Sequence, residues 1–258
     1  MELLHFILVS YDFNHFKGGN IMIIGHKGTA VYAPENTISA INKAIEMGLN
    51  HVEIDVQLSK DEEVVVIHDY TLDRTTNGKG AVRNTTLADM KCLSAGGWFG
   101  EAYEDEKIPT LDEVLCVLPE DVTLNVEIKN IARERGNIEE RVLELIEKHK
   151  IQDQVIISSF DHVSLKKVRT MNETIRIGVL IYAYWLDPWS QLEVSRLKPY
   201  SIHPAIEYLD KEFVIEAKKR GYAIFPYTVN SREEYSYCIE LGVDGVFSDY
   251  PNLVDLEE

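Results

Sequence analysis

Positive charge is scarce in this chain: Lys and Arg number 26 against 43 Asp and Glu, a formal net charge of −17. Nucleic-acid binders and anchors to anionic bilayers gather basic side chains on one face, so this balance argues against both partners. Cysteine is scarce too. Cys92, Cys116 and Cys238 lie far apart, are odd in number and form no C-x-x-C pair, which fits a reducing cytoplasm better than a disulfide framework. Stable membrane insertion is not expected, because the apolar stretch Leu3 to Val9 is far short of the ~20 residues a spanning helix needs. It also lacks a basic segment before it and a small-residue cleavage pattern after it. Residues 1–20 therefore read as an N-terminal extension of unknown role, with Met22 an alternative start and residues 21–258 a single domain.

What is present is a rhythm. With 45% hydrophobic residues in 258, the chain is long enough for one large α/β domain. Short apolar runs predict strands at 21–25, 51–58, 64–67, 122–128, 154–158, 175–181, 200–203, 222–227 and 243–247. Amphipathic stretches predict helices at 37–47, 111–118, 137–149, 161–171, 189–196, 210–220 and 231–240. Taking 64–67 as a continuation of the second strand leaves eight βα units, the count of a closed (β/α)8 TIM barrel, with a doubly wound sheet as runner-up. Residues 69–107, rich in Gly and Thr and poor in periodicity, break the rhythm and read as a small insertion after the second strand.

Two strands carry carboxylates where buried parallel strands should be apolar on both faces. Val52, Ile54, Val56 and Leu58 alternate with Glu53, Asp55 and Gln57, and Leu124, Val126 and Ile128 alternate with Asn125, Glu127 and Lys129. Side chains at i and i+2 share a face, so three acids face inward together. Buried like charges this close need a compensating cation, and a divalent metal is the simplest one for oxygen ligands. The bland alternatives are a solvated edge face for Glu53 and Asp55 and an interior ion pair between Lys129 and Glu127. In the metal reading, Lys129 meets the anionic group of a substrate.

His26 and His68 each follow a strand, at the face where barrels carry catalysis. Singly, either is as readily structural as functional; two imidazoles across a site can act as acid and base. His203 also follows a strand, but neighbouring Pro204 and the absence of matching acids favour a structural role. Pro34-Glu35-Asn36-Thr37 has a local explanation as a helix start with Asn36 or Thr37 as cap.

These segments together resemble the glycerophosphodiester phosphodiesterase family, within the phospholipase C-like phosphodiesterases. The resemblance rests on Gly25-His26-Lys27-Gly28, Pro34-Glu35-Asn36-Thr37, Glu53-Ile54-Asp55-Val56, Val66-Ile67-His68-Asp69 and Asp73-Arg74-Thr75-Thr76-Asn77-Gly78. It continues through Glu127-Ile128-Lys129 and the run from Gly242 to Pro251, in the family's order. It implies a (β/α)8 barrel with a small subdomain at about 69–107. The implied reaction is hydrolysis of glycerophosphodiesters to sn-glycerol 3-phosphate and an alcohol, assisted by Mg²⁺ or Ca²⁺, with Mn²⁺ a further candidate. Carried over by position, Glu53, Asp55 and Glu127 are the metal ligands and His26 and His68 the acid–base pair. Lys27, Lys129, Glu35, Asn36 and Tyr227 border the substrate.

Two positions depart from the family's pattern. Lys27 stands where Arg is usual and loses the planar fork that grips phosphate, and Tyr227 stands where Trp is usual. A lysophospholipase D using the Trp98, Phe99 and Tyr103 cluster is the second enzymatic reading, although such aromatics are more often core of the insertion. A phosphodiester-binding barrel without catalysis is the reading from another class.

Overall fold

The computed structural model describes residues 21–130, 136–183 and 187–253; the extension at 1–20 lies outside them. Nine strands form one sheet: β1 (Met22–Gly25), β2 (His51–Leu58), β3 (Val64–Val66), β4 (Thr123–Ile128), β5 (Val155–Ser159), β6 (Arg176–Ile181), β7 (Ser201–Pro204), β8 (Ala223–Ile224) and β9 (Gly245–Ser248). Eight are parallel neighbours in the order β8-β7-β6-β5-β4-β2-β1-β9, and β3 folds back antiparallel on the end of β2. The strand expected as a continuation of β2 is thus the return arm of a hairpin, with Val66 opposite Val56. Between β8 and β9 the barrel closes through backbone bonds from Asp244 N–H to the Ile224 carbonyl (3.1 Å) and from Phe247 N–H to that of Pro226 (2.9 Å).

Helices α1 (Ile38–Glu46), α3 (Leu111–Val117), α4 (Ile138–His149), α5 (His162–Met171), α6 (Pro188–Ser195), α7 (Lys211–Lys219) and α8 (Arg232–Leu241) surround it, at the predicted positions. Their starts are chemically marked. Thr110 with Glu113 and Ser231 with Glu234 form capping boxes on α3 and α8, satisfying N–H groups that the helix leaves unpaired. Of the two candidate caps for α1, Thr37 takes the place, accepting from Ala40 N–H, and Asn36 is released for another task.

Alternation along β2 and β4 now has its reason. Val52, Ile54, Val56, Leu124, Val126 and Ile128 face outward and are fully buried under the helices, each side chain worth roughly 1.5–3 kcal/mol. Inward residues divide by depth. Ile24, Ile156, Ala223, Phe225 and Phe247 pack together inside the barrel, and the acids lie nearer the C-terminal mouth. His203 belongs to this interior: it is fully buried, 4.9 Å from the Phe247 ring centroid, and hydrogen bonds Ser201 Oγ. The structural role expected for it holds.

Between β3 and α3 the chain leaves the barrel for a small unit containing α2 (Leu87–Lys91) and two single turns. It has its own core of Val65, Ile67, Leu72, Val82, Met90, Ala95 and Ile108. Trp98, Phe99 and Tyr103, expected to fill that core, stack edge to face outside it, with Trp98 42% exposed.

Candidate active site

Parallel pairing of β2 with β4 brings the acids together. Asp55 stands opposite Glu127, and Glu53 opposite Asn125. One carboxylate oxygen from each of Glu53, Asp55 and Glu127 lies within 4.8 Å of the others. Glu53 Oε1 and Asp55 Oδ1 are buried without a hydrogen-bond partner. Orphaned anionic oxygens in a cluster of three are costly alone and are the donor set a hard divalent cation takes, so the residues fit such an ion.

The partner oxygens are held in place. Lys27 N–H donates to Glu53 Oε2 (2.7 Å), Asn36 Nδ2 donates to Asp55 Oδ2 (2.8 Å), and Asn36 Oδ1 accepts from Asp55 N–H (3.0 Å). The loop that supplies these contacts is tightly folded. Lys27, Gly28 and Asn36 all have positive φ, and a Cβ on Gly28 would lie 2.7 Å from Ala40, so only glycine fits there.

Electrostatics follow from burial and crowding. Burial, then the charges of Asp55 and Glu127, push the Glu53 carboxyl well above its usual range. Burial and Asp55 push Glu127 up to about 7, against the pull of Lys129. For Asp55 burial works upward but loses to Lys129, His68 and Lys27, leaving it below the ordinary value. Lys129 Nζ sits 2.8 Å from Glu127 Oε1 and 3.7 Å from Asp55 Oδ1, so the interior ion pair does form.

Both histidines reach the same mouth. His26 directly follows β1, its N–H bonding the Ser248 carbonyl, and its Nδ1 lies 2.7 Å from Asp249 Oδ1. Asp249 Oδ2 accepts in turn from Asn230 Nδ2 (2.6 Å). His68 follows β3, with Nδ1 2.8 Å from Asp69 Oδ1. Anchoring Nδ1 on a carboxylate leaves Nε2 for a reacting atom and fixes the ring's direction. Burial lowers the His68 pKa, partly opposed by Asp55. Gln57, the third inward residue of β2, donates Nε2 to the carbonyls of Ile67, His68 and Asp69 and so pins the His68 segment.

The remaining candidates border this centre. Lys27 Nζ lies 3.4 Å from Glu35 Oε1, and Glu35 is also gripped by Arg74. Tyr227 meets Phe160 edge to face at 5.7 Å and spends its hydroxyl on the Ile181 carbonyl (3.0 Å). Phe160 is 45% exposed, with Lys129 Nζ 5.7 Å from its ring centroid.

With that geometry in view, a profile of the glycerophosphoryl diester phosphodiesterase family matches residues 26–253. The chain belongs to this family. A glycerophosphodiester phosphodiesterase of Caldanaerobacter subterraneus subsp. tengcongensis is 42% identical over 231 residues, covering 89% of this chain and 94% of its own. One of Bacillus subtilis is 35% identical over 256 residues, covering 93% and 87%. Among solved structures, an Oleispira antarctica phosphodiesterase in complex with the product sn-glycerol-3-phosphate superposes with a TM-score of 0.86 at 33% identity, covering 91% of this chain and 97% of that one. The glycerophosphodiester phosphodiesterases are enzymes of phosphodiester hydrolysis, and this chain is one of them.

Gln57, Asp69, Arg74, Asn230 and Asp249 were given no role by sequence reasoning. An acid directly after His68 is a readable signal for Asp69; Asp249 lies 223 residues from His26 and becomes its neighbour only on closure of the barrel. A second trio, Asp112, Cys116 and His149, gathers on the outer helices, where Lys148 Nζ already contacts both Asp112 oxygens at 2.7 and 2.9 Å.

Proposed function

We propose that the chain hydrolyses glycerophosphodiesters to sn-glycerol 3-phosphate and an alcohol, using a divalent cation and the imidazoles of His26 and His68. The observation that carries this reading is the three-carboxylate cluster with its orphaned oxygens, flanked by two histidines that each rest Nδ1 on a carboxylate. It is supported by the sn-glycerol-3-phosphate bound in the Oleispira relative.

Glu53, Asp55 and Glu127 would hold the cation, Mg²⁺ or Ca²⁺ by the oxygen donor set, with Mn²⁺ also acceptable. When bound, it neutralises phosphate oxygens and polarises phosphorus. One imidazole Nε2 takes the proton of the attacking hydroxyl, and the other gives a proton to the departing alcohol oxygen. The attacking group is water or the neighbouring glycerol hydroxyl; in the second case the cyclic phosphate so formed is opened by water, with the two imidazoles exchanging roles, to give sn-glycerol 3-phosphate. Lys27 and Lys129 supply positive charge for the remaining phosphate oxygens, Lys129 exchanging part of its contact with Glu127 as substrate enters. Glu35 and Asn36 border the pocket through Lys27 and Asp55, and the Tyr227 and Phe160 rings offer an apolar wall for the glycerol carbons. The catalytic unit runs from residue 21 with the insertion at about 69–107. A cytoplasmic location agrees with three cysteines that form no disulfide, and no helix among the described residues is long and apolar enough to cross a membrane.

The test is release of glycerol 3-phosphate from glycerophosphocholine and glycerophosphoethanolamine after EDTA treatment, then with Mg²⁺, Mn²⁺ or Ca²⁺ restored. Cation-restored product is expected. Absence of product with every cation would sink the reading. Exposed Trp98, stacked on Phe99, favours a second substrate class, lysophospholipids; activity that appears only with micellar lysolipid would select it.

A further inference from the structure

We propose that Arg74, in the insertion, is a positioning residue that sets the direction and tautomer of His68 through Asp69; this rests on the acid–base reading of His68. Arg74 makes four hydrogen bonds to two carboxylates from one planar group. Nε donates to Asp69 Oδ2 (2.7 Å) and Nη2 to Asp69 Oδ1 (2.9 Å). Nη1 donates to Glu35 Oε2 (2.7 Å) and Nη2 to Glu35 Oε1 (2.8 Å). Asp69 Oδ1 therefore meets the guanidinium and His68 Nδ1 at once.

The geometry makes this more than a surface ion pair. Glu35 has a side chain only 9% exposed and stands in the loop whose neighbouring residues, Lys27 and Asn36, hold the cation-site carboxylates. Arg74 thus ties Asp69 to the rigid side of the site. A carboxylate on an exposed loop turns freely about its side-chain torsions; one clamped at both oxygens by a bidentate guanidinium does not. A permanently ionised Asp69 accepts the Nδ1 proton of His68 and leaves Nε2 as the nitrogen facing the reaction. Arg74 itself holds the Asp69 carboxyl well below its usual range, so the acceptor stays ionised throughout any working pH.

The other histidine is built differently. Behind His26, Asp249 is held by the neutral amide of Asn230 from within the barrel. Behind His68, Asp69 is held by a cation that belongs to the insertion. The insertion is therefore part of the catalytic arrangement, and its docking on Glu35 completes the alignment of His68. The hydrogen bonds of Arg74 go to Glu35 and Asp69 and not to Glu53, Asp55 or Glu127, so cation binding is separable from its role.

The experiment compares the full chain with Arg74→Ala and Arg74→Lys, both saturated with the activating cation. Loss of about 10- to 100-fold in kcat is expected for Arg74→Ala, the usual effect of removing an outer partner of an active-site group. KM and calorimetric Ca²⁺ affinity should stay within about twofold, since the interaction serves the transition state. ¹⁵N-histidine spectra should show His68 passing from a single Nδ1–H tautomer to a mixture, and added guanidinium ion should restore part of the lost turnover. Arg74→Lys keeps the charge without the fork and should recover less than half of the lost activation free energy; it also carries the test if the alanine variant does not fold. An unchanged kcat in both variants would overturn the proposal. So would a kcat loss matched by an equal loss of cation affinity, which marks a merely structural role. If the unaltered chain itself releases no glycerol 3-phosphate, the proposed function fails instead. The tautomer measurement then decides the Arg74 inference alone, and an unchanged His68 spectrum in Arg74→Ala rejects it.

Discussion

Protons and the cation compete for the same carboxylates, and the competition can be measured. In the cation-free protein Glu127 is pushed from an ordinary 4.5 up to about 7 by burial and by Asp55, and Glu53 is pushed well above its ordinary range by burial and both neighbours. Between pH 4.5 and 7 the folded cation-free chain therefore keeps a proton on Glu127 that the unfolded chain has released. The Glu127 contribution to stability therefore falls as pH rises through that window, by about 3 kcal/mol, and levels off above it. Cation affinity runs the opposite way, because the ligands must be deprotonated. Each pH unit below about 7 should weaken binding about tenfold for one coupled carboxylate and more where Glu53 also releases a proton. Calorimetric titration of Ca²⁺ into EDTA-treated protein at about pH 6 and about pH 8, in two buffers of different ionisation enthalpy, counts the protons directly. At least one proton should leave per cation at the lower pH, and Glu127→Gln should reduce that number by one. Equal dissociation constants at both pH values with no proton release would refute the claim that these acids are the ligands.

Further outcomes follow from the same contacts. His26→Ala and His68→Ala should each lower kcat by roughly two to four orders of magnitude without unfolding the chain, read by steady-state kinetics beside a thermal melt; a loss confined to KM would assign them to substrate positioning. Gly178→Ala should destabilise the barrel by about 1–3 kcal/mol in urea unfolding, because a Cβ there would lie 2.3 Å from His203 Cε1; near-zero change would show that the His203 ring moves aside. His203 is buried with its pKa lowered to about 3 by desolvation, so it stays neutral in the folded chain while the unfolded chain protonates it. Its contribution to stability is thus lost as pH falls below about 6.5, by about 1.4 kcal/mol per unit, and His203→Gln should flatten this acid limb of the stability curve; an unchanged slope would contradict it.

Much of this was legible along the chain because its causes are local. Period-two alternation on β2 and β4 announced that Glu53, Asp55 and Glu127 face inward, and amphipathic spacing located the seven barrel helices to within a residue or two. Other features stayed open or were misread for local reasons. Asn36 and Thr37 are both good helix caps by composition, and two adjacent capping residues offer the backbone equivalent choices; the fold gives the cap to Thr37 and Asn36 to Asp55. The run 64–67 has strand composition whether it extends β2 or turns back on it, and only the antiparallel pairing decided.

The sequence alone determined which side chains share a face, because i and i+2 are neighbours on a strand whatever the rest of the chain does. Tertiary structure decided which faces meet. Asp249 reaches His26 through closure of β9 on β1, Asp55 meets Glu127 through the register of β2 on β4, and Arg74 finds Glu35 through docking of the insertion. Those encounters depend on distances between segments tens to hundreds of residues apart, which the packing of the whole barrel sets and no local pattern encodes.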